Sequence, residues 1–168
     1  MNTRVFIGLG SNLDAPGRHV LSAFDELARL PLTRLVARSA LYRSAPVGYP
    51  HQPDFINAVA QVATALDPHA LLTALLALER RHGRRRDFAN GPRTLDLDVL
   101  LYGDLVLAAD DLTLPHPRIG ERAFVLQPLV EIAPDCVIPG LGRADAQLGR
   151  CRGQRLERLD EEACHVAG

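Results

Sequence analysis

The stretch Leu95-Asp96-Leu97-Asp98-Val99-Leu100-Leu101-Tyr102 decides how the rest of the chain is interpreted. Alternate residues of a strand share a face, so an extended conformation sends Leu95, Leu97, Val99 and Leu101 into a core. The carboxylates of Asp96 and Asp98 then project together from the opposite face. Such a pair is typical of a magnesium site, because Mg²⁺ takes one or two protein carboxylates plus substrate phosphates. The alternative is a solvent-facing edge with two ordinary surface aspartates.

Arginines precede this strand. Arg93 lies just upstream of it, and Arg84 and Arg86 lie in the loop that leads to Arg93. A guanidinium group can hold phosphate oxygens through paired hydrogen bonds. Carboxylates for a metal beside arginines for phosphate predict phosphoryl-group chemistry. For Arg85 we favour a solvated surface position.

The periodicity of the chain predicts six elements in the order strand, helix, strand, strand, helix, strand. This is the ferredoxin-like βαββαβ arrangement of the α+β class, in which the two middle strands pair as a hairpin. Gly8 to Asn12, with its two glycines, follows a predicted strand and is interpreted as a tight turn. The predicted elements are strand Arg4–Leu9, helix Arg18–Leu30, strand Thr33–Arg43, strand Phe55–Ala65, a helix from Asp67-Pro68 to near Gly83, and strand Leu95–Tyr102.

Further elements are predicted after the last strand. Leu105–Leu107 is interpreted as a short strand, Thr113–Gly120 as a loop, and Glu121–Ile132 as a helix that Pro134 stops. The tail 140–168 shows no repeat and no separate domain. A length of 168 residues fits one domain, which we expect to span 1–168.

Composition excludes several classes of function. The net charge is −1, so the chain lacks the global positive field of a nucleic-acid or anionic-membrane binder. All 19 basic residues are arginines, which excludes a Schiff-base lysine and the lysine of a P-loop. The three cysteines, Cys136, Cys151 and Cys164, are widely spaced and form neither a metal motif nor a disulfide framework. Without a signal-peptide pattern or a long apolar run, the chain is expected to be cytoplasmic.

Two further groups of side chains are candidates for binding. His116 stands between two prolines, which would hold it in a defined position, although a plain surface histidine is the alternative. Phe55 and Phe124 both fall beside loops and could sandwich a flat heterocycle. Asn57 shares a strand face with Phe55 and could offer a donor and an acceptor to the heterocycle edge. Each phenylalanine could instead belong to the core.

Taken together in their order, these residues resemble the 6-hydroxymethyl-7,8-dihydropterin pyrophosphokinase family of folate biosynthesis. An ordered series of motifs is more specific than any one of them. The matching stretches are Ile7–Asn12, Tyr42–Gly48, Gln52–Ala58, Gly91–Asp98, Leu114–Pro117 and Pro128–Pro134.

The resemblance implies transfer of the terminal diphosphate of ATP to the hydroxymethyl group of the dihydropterin, with release of AMP. It implies that Asp96 and Asp98 hold two Mg²⁺ ions, and that Arg84 and Arg93 stabilise charge during transfer. Matches to the ATP-binding positions are Glu79, Arg84, Arg86, Arg93, Val99, Thr113, His116 and Arg122. Matches to the pterin-binding positions are Phe55 and Phe124 as stacking rings, Asn57, and the backbone around Ser44, Ala45 and Val47.

The expected partners are therefore small-molecule substrates, with no nucleic acid and no membrane. A monomer is expected, with a dimer as the alternative. Two competing functions stay open at this point. One is a phosphotransferase with another acceptor, which identification of the product as AMP or ADP would distinguish. The other is a non-catalytic ferredoxin-like module that binds a ligand or RNA, although the aromatic pattern of RNA-binding sheets is absent.

Overall fold

Within residues 2–46, 51–83 and 94–160, which the computed structural model describes, a six-stranded antiparallel sheet organises the fold. The first elements are β1 (Thr3–Ser11), α1 (Pro16–Ala28), β2 (Thr33–Arg38), β3 (Leu41–Ser44), β4 (Phe55–Thr64), α2 (Pro68–Arg81) and β5 (Asp96–Tyr102). They are followed by β6 (Leu107–Ala108), β7 (Thr113–Leu114), a 3₁₀ turn (Ile119–Glu121), α3 (Ala123–Ile132), β8 (Val137–Ile138), β9 (Gly142–Arg143), α4 (Ala144–Gly149) and β10 (Leu156–Leu159).

The order of strands in the sheet confirms the ferredoxin-like prediction. The path runs β10-β3-β4-β1-β5, and β2 also pairs with β4. The predicted hairpin of the two middle strands is present, since Ser44 of β3 faces Phe55 of β4. The start of α2 is also as predicted: the carboxylate of Asp67 accepts the backbone N–H of Ala70 at 2.8 Å, and Pro68 is the first helical residue.

Each face of the sheet covers its own apolar core. On one face, Val5 and Ile7 of β1 pack beneath α1 and α2. On the other face, Phe6 of β1 and Leu100 of β5 pack against α3 and the elements that follow it. Among the described residues, none of the helices combines the length and hydrophobicity that a membrane span requires.

The prediction of one long strand over Thr33–Arg43 is wrong, because the chain breaks at Ser39 into β2 and β3. The hydroxyl of Ser39 accepts the backbone N–H of Val59 at 2.9 Å and donates to the carbonyl of Ala40 at 2.7 Å. The N–H of Ala40 bonds to the carboxylate of Glu131. The Ser39 N–H still bonds to the carbonyl of Val59 at 2.9 Å, but side-chain hydrogen bonds take up the neighbouring groups and interrupt the regular strand.

The tight turn predicted over Gly8 to Asn12 is also wrong, since β1 continues to Ser11. Both glycines of this stretch have strand partners on two sides. Gly8 pairs with Val59 and Asp98, and Gly10 pairs in the same way with residues of β4 and β5. Backbone pairing with β4 on one side and β5 on the other holds both glycines in an extended conformation. A glycine in a strand that pairs on one side only would be freer to form a turn.

Smaller boundary errors concern four elements. The first helix begins at Pro16 rather than Arg18, and α3 begins at Ala123 rather than Glu121. The short strand predicted at Leu105–Leu107 is β6, at Leu107–Ala108, and the loop Thr113–Gly120 contains β7 and the start of the 3₁₀ turn. The tail adds β10, which pairs with β3 and extends the sheet.

A cluster of two histidines and a carboxylate joins the two helices of the first face. The Nδ1 atoms of His19 on α1 and His82 at the end of α2 lie 2.6 Å apart. The Nε2 atom of His82 bonds to the carboxylate of Glu26, which also accepts the hydroxyl of Ser22 at 3.1 Å. Burial lowers the pKa of His19, the neighbouring His82 lowers it further, and Asp14 and Glu26 act in the opposite direction.

This cluster predicts that the protein becomes less stable in mild acid. In the unfolded chain a histidine titrates with a pKa near 6.5, whereas the pKa of His19 in the folded state is lower. The unfolded state therefore binds more protons below about pH 6.5, so the free energy of unfolding falls as pH drops through the folded pKa. Urea unfolding at pH 7.5 and 5.5 should show a smaller pH effect for His19→Gln than for the wild type. Identical pH effects would contradict the assignment.

Candidate active site

A cavity of about 70 Å³ opens between the sheet and the start of α3. We call it the glycine-floored cavity, after Gly8 and Gly10 of β1, which face the same side of the strand. A Cβ atom at Gly10 would lie 3.3 Å from the Oδ1 atom of Asn57, and one at Gly8 would lie 3.3 Å from Leu100. The missing side chains thus create the room above the sheet. Sequence reasoning missed this role, although the spacing of two glycines along one strand face was the available signal.

Two aromatic rings reach this cavity from different elements. Phe55 is the first residue of β4 and Phe124 lies in the first turn of α3, and both are half-buried in the cavity wall. The guanidinium carbon of Arg122 lies 5.4 Å from the centroid of the Phe124 ring. The structure therefore brings together the two rings that the sequence singled out, and neither is sealed in the core.

The polar wall of the cavity is built by Asn57, Ser44 and Ala45. Asn57 is buried, and its Nδ2 donates to the hydroxyl of Ser44 at 2.6 Å. This bond directs the Oδ1 atom of Asn57 toward Gly10, where it can accept a hydrogen bond from a ligand.

Asp96 and Asp98 lie at the border between this cavity and a larger groove of about 710 Å³, and they line both. In β1 their partners are Gly10 and Gly8, which places both carboxylates on the cavity face of the sheet. Each is half-buried rather than fully exposed. Arg122 also lines both spaces.

The charges at this border perturb one another. Burial lowers the pKa of Arg122, and the carboxylates of Asp98 and Asp96 oppose that effect. Burial also lowers the pKa of His116, with a further contribution from Arg122, while Asp96 opposes it. The Nδ1 atom of His116 accepts the backbone N–H of Arg118 at 3.2 Å. A neutral ring then carries its proton on Nε2, and His116 is half-buried rather than a plain surface histidine.

The groove continues along β5 toward α2. It is lined by Val99, Thr113 and His116, together with Glu79 of α2. Glu79 is only 3% exposed, and its Oε2 atom accepts the backbone N–H of Leu97 at 2.7 Å. This bond fixes the outer edge of β5 between the two aspartates, so Glu79 orients the strand that presents them.

Some predicted positions cannot be placed. Five of these residues lie outside the described ranges: Val47, Arg84, Arg85, Arg86 and Arg93.

In the described ranges no group of three histidine, cysteine, aspartate or glutamate side chains forms a complete metal cage. A pair of carboxylates such as Asp96 and Asp98 suits Mg²⁺ only where substrate oxygens complete the shell.

Comparison with known proteins places this geometry in a family. The profile of "7,8-dihydro-6-hydroxymethylpterin-pyrophosphokinase (HPPK)" matches residues 6–134. The chain is 47% identical over 159 residues to a 2-amino-4-hydroxy-6-hydroxymethyldihydropteridine pyrophosphokinase of Pseudomonas aeruginosa, covering 95% of this chain and 98% of that protein. It is 46% identical over 158 residues to the protein of the same name from Methylorubrum extorquens, covering 94% and 99%.

Solved structures show the same fold at low identity. Wild-type HPPK-DHPS of Plasmodium falciparum superposes with a TM-score of 0.70 at 13% identity, over 89% of this chain. This chain spans 45% of the length of that solved chain. The extent of the profile match and the identity to full-length relatives lead to one conclusion: the chain belongs to the 7,8-dihydro-6-hydroxymethylpterin pyrophosphokinase family.

Proposed function

We propose that the protein transfers the terminal diphosphate of ATP to the hydroxymethyl group of 6-hydroxymethyl-7,8-dihydropterin, releasing AMP, as a step of folate biosynthesis. The observation that carries this proposal is the junction of two spaces. A small cavity with two aromatic rings and an amide meets a large polar groove, and Asp96, Asp98 and Arg122 line both. An acceptor in the cavity and a polyphosphate in the groove would meet at those charges.

The glycine-floored cavity suits the pterin. Phe55 and Phe124 would contact the faces of the flat ring, and stacking on aromatic side chains is favourable for any heterocycle. The Oδ1 atom of Asn57 would accept a ring N–H or amino group, while the bond from Nδ2 to Ser44 holds the amide in this orientation. The backbone around Ser44, Ala45 and Val47 would complete the edge contacts, as the family resemblance implies.

The groove suits ATP by size and by polarity. We assign to nucleotide binding the residues that line it, namely Glu79, Val99, Thr113, His116 and Arg122. The resemblance adds Arg84, Arg86 and Arg93, which would neutralise the phosphates. The Nε2–H of neutral His116 could donate to a phosphate oxygen or to the edge of the base.

Asp96 and Asp98 would hold two Mg²⁺ ions. Mg²⁺ prefers hard oxygen ligands, and these two carboxylates lie beside the groove in which we place the phosphates. Asp96 and Asp98 therefore fit this cation. When bound, the ions would neutralise and polarise the phosphate oxygens of ATP. The protein's own part is to hold these two carboxylates on a strand whose outer edge Glu79 fixes.

The transfer needs no protein nucleophile. The hydroxymethyl oxygen bonds to the β-phosphorus of ATP, the bond from that phosphorus to the oxygen bridging to the α-phosphorus breaks, and AMP leaves while the hydroxyl proton is released. The contribution of the chain is alignment of the acceptor by the cavity and stabilisation of charge by arginines. We assign the charge-stabilising role to Arg84 and Arg93, and Arg122 at the junction would support it.

An assay of AMP formation tests this function. Purified protein with ATP, Mg²⁺ and 6-hydroxymethyl-7,8-dihydropterin should form AMP, and the reaction without pterin should form none. ADP as the product would favour a phosphotransferase of a different reaction type. Pterin binding without any AMP would identify a binding protein in place of an enzyme.

We further propose that the protein works in the cytoplasm as a monomer of one domain over 1–168. Both substrates are small molecules that a single copy of the cavity and groove could hold. Size-exclusion chromatography with light scattering should give one chain per particle, and a stable dimer would contradict this.

A further inference from the structure

A carboxylate at the far end of α3 ties that helix to β3. The Oε1 atom of Glu131 accepts the hydroxyl of Tyr42 at 2.6 Å. The backbone N–H of Ala40, just before β3, bonds to the same carboxylate at 3.0 and 3.2 Å. A guanidinium nitrogen of Arg158 on β10 lies 3.9 Å from Oε2. One side chain thus joins a helix to two neighbouring strands.

The hydrogen bond from Tyr42 to Glu131 is maintained throughout the neutral pH range. Tyr42 is 4% exposed, and burial together with the Glu131 carboxylate raises the pKa of its phenol to about 12. The phenol therefore stays protonated and donates over the whole neutral range. Hydrogen bonds to an ionised acceptor are also stronger than those between neutral groups.

The elements joined by Glu131 both line the glycine-floored cavity. The start of α3 supplies Phe124, and the end of β3 supplies Ser44. Tyr42 and Ser44 are two residues apart and so share a strand face. Ser44 in turn receives the Nδ2 donor of Asn57, so a shift of β3 would turn the amide that faces the cavity.

We propose that Glu131 is a positioning residue for the pterin cavity, acting through Tyr42 and the Ala40 N–H to set the separation between α3 and β3. The proposal rests on the function proposed above. Glu131 need not touch either substrate. Its removal would leave the Ala40 N–H without its acceptor and would release β3 from α3 at the point nearest the break between β2 and β3.

The test compares the effect of each substitution on KM for the dihydropterin with its effect on KM for ATP. Glu131→Ala should raise KM for the dihydropterin about tenfold, which corresponds to a loss of about 1.4 kcal/mol of binding free energy, while KM for ATP and kcat stay within about twofold. Tyr42→Phe should raise the pterin KM by a smaller factor, about threefold. Glu131→Gln should fall between wild type and Glu131→Ala, because one oxygen remains as an acceptor but without the negative charge that strengthens the bonds.

A matched control is Glu157→Ala, which removes an exposed carboxylate of β10 that contacts Arg43 at 3.4 Å. Its kinetic constants should be unchanged. An unchanged pterin KM in Glu131→Ala, or equal rises in both Michaelis constants, would overturn the proposal. If Glu131→Ala does not fold, Tyr42→Phe and Glu131→Gln carry the same test. Pterin binding can also be measured by fluorescence in the presence of a non-hydrolysable ATP analogue, which tests the positioning role without turnover. If the wild type forms no AMP, the proposed function is contradicted, but the binding measurement still tests the role of Glu131.

Discussion

Asp98→Asn should reduce the rate of AMP formation about 10²- to 10³-fold, the order seen when a group that stabilises transition-state charge is removed. Asp98 lines both the cavity and the groove, and its carboxylate counters the lowering of the Arg122 pKa. The amide keeps the shape but removes the charge that a divalent cation needs. Asp96→Asn should behave similarly, because Asp96 lies two residues before Asp98 on the same face of β5.

The fold should survive these substitutions. Both carboxylates are half-buried on the cavity face, and the strand itself is held by β1 and by the Glu79 carboxylate. Thermal unfolding should therefore change by only a few degrees. Asp104→Asn, an exposed aspartate in the turn after β5, is the matched control and should keep full activity. Turnover of Asp98→Asn within tenfold of wild type would remove the metal and phosphate assignment.

Phe124→Ala should weaken dihydropterin binding about 10- to 100-fold, because stacking of a heterocycle on an aromatic side chain contributes about 1–3 kcal/mol. The ring lines the cavity from α3, and Phe55 lines it from the start of β4. Phe55→Ala should act in the same direction. Calorimetry with the pterin and a non-hydrolysable ATP analogue measures the effect directly, and ATP affinity should change little.

The control for this prediction keeps the ring. Phe124→Tyr retains the aromatic face and its position beside Arg122, so it should bind the pterin within a fewfold of wild type. Loss of affinity for ATP and pterin alike would indicate a disturbed helix instead of a lost stacking partner. Unchanged pterin affinity in both alanine variants would place the pterin elsewhere.

The order of elements was predictable because most of them are long enough to show their period. The alternation of Asp96 and Asp98 with leucines identified the last strand, and Asp67-Pro68 identified the start of a helix. The break at Ser39 was not predictable, since it depends on hydrogen bonds to Val59 and, through Ala40, to Glu131. Such partners are close only after folding.

The site was predictable to a different degree. Phe55, Asn57 and Phe124 were chosen by their side-chain chemistry, and the structure brings them into one cavity. Gly8 and Gly10 were misread because a glycine pair predicts a turn unless strands flank it on both sides. The roles of Val47, Arg84, Arg86 and Arg93 stay predictions, as these residues lie outside the described ranges.

Strand β10 has a consequence for solubility. By pairing with β3 from Leu156 to Leu159, it occupies the hydrogen-bonding edge of the strand that carries Ser44. A chain shortened before Leu156 would leave that edge open, and unpaired N–H and C=O groups on an exposed strand recruit strands of other molecules. The edge that β10 presents instead is only four residues long and carries the exposed charges of Glu157 and Arg158, which disfavour such pairing.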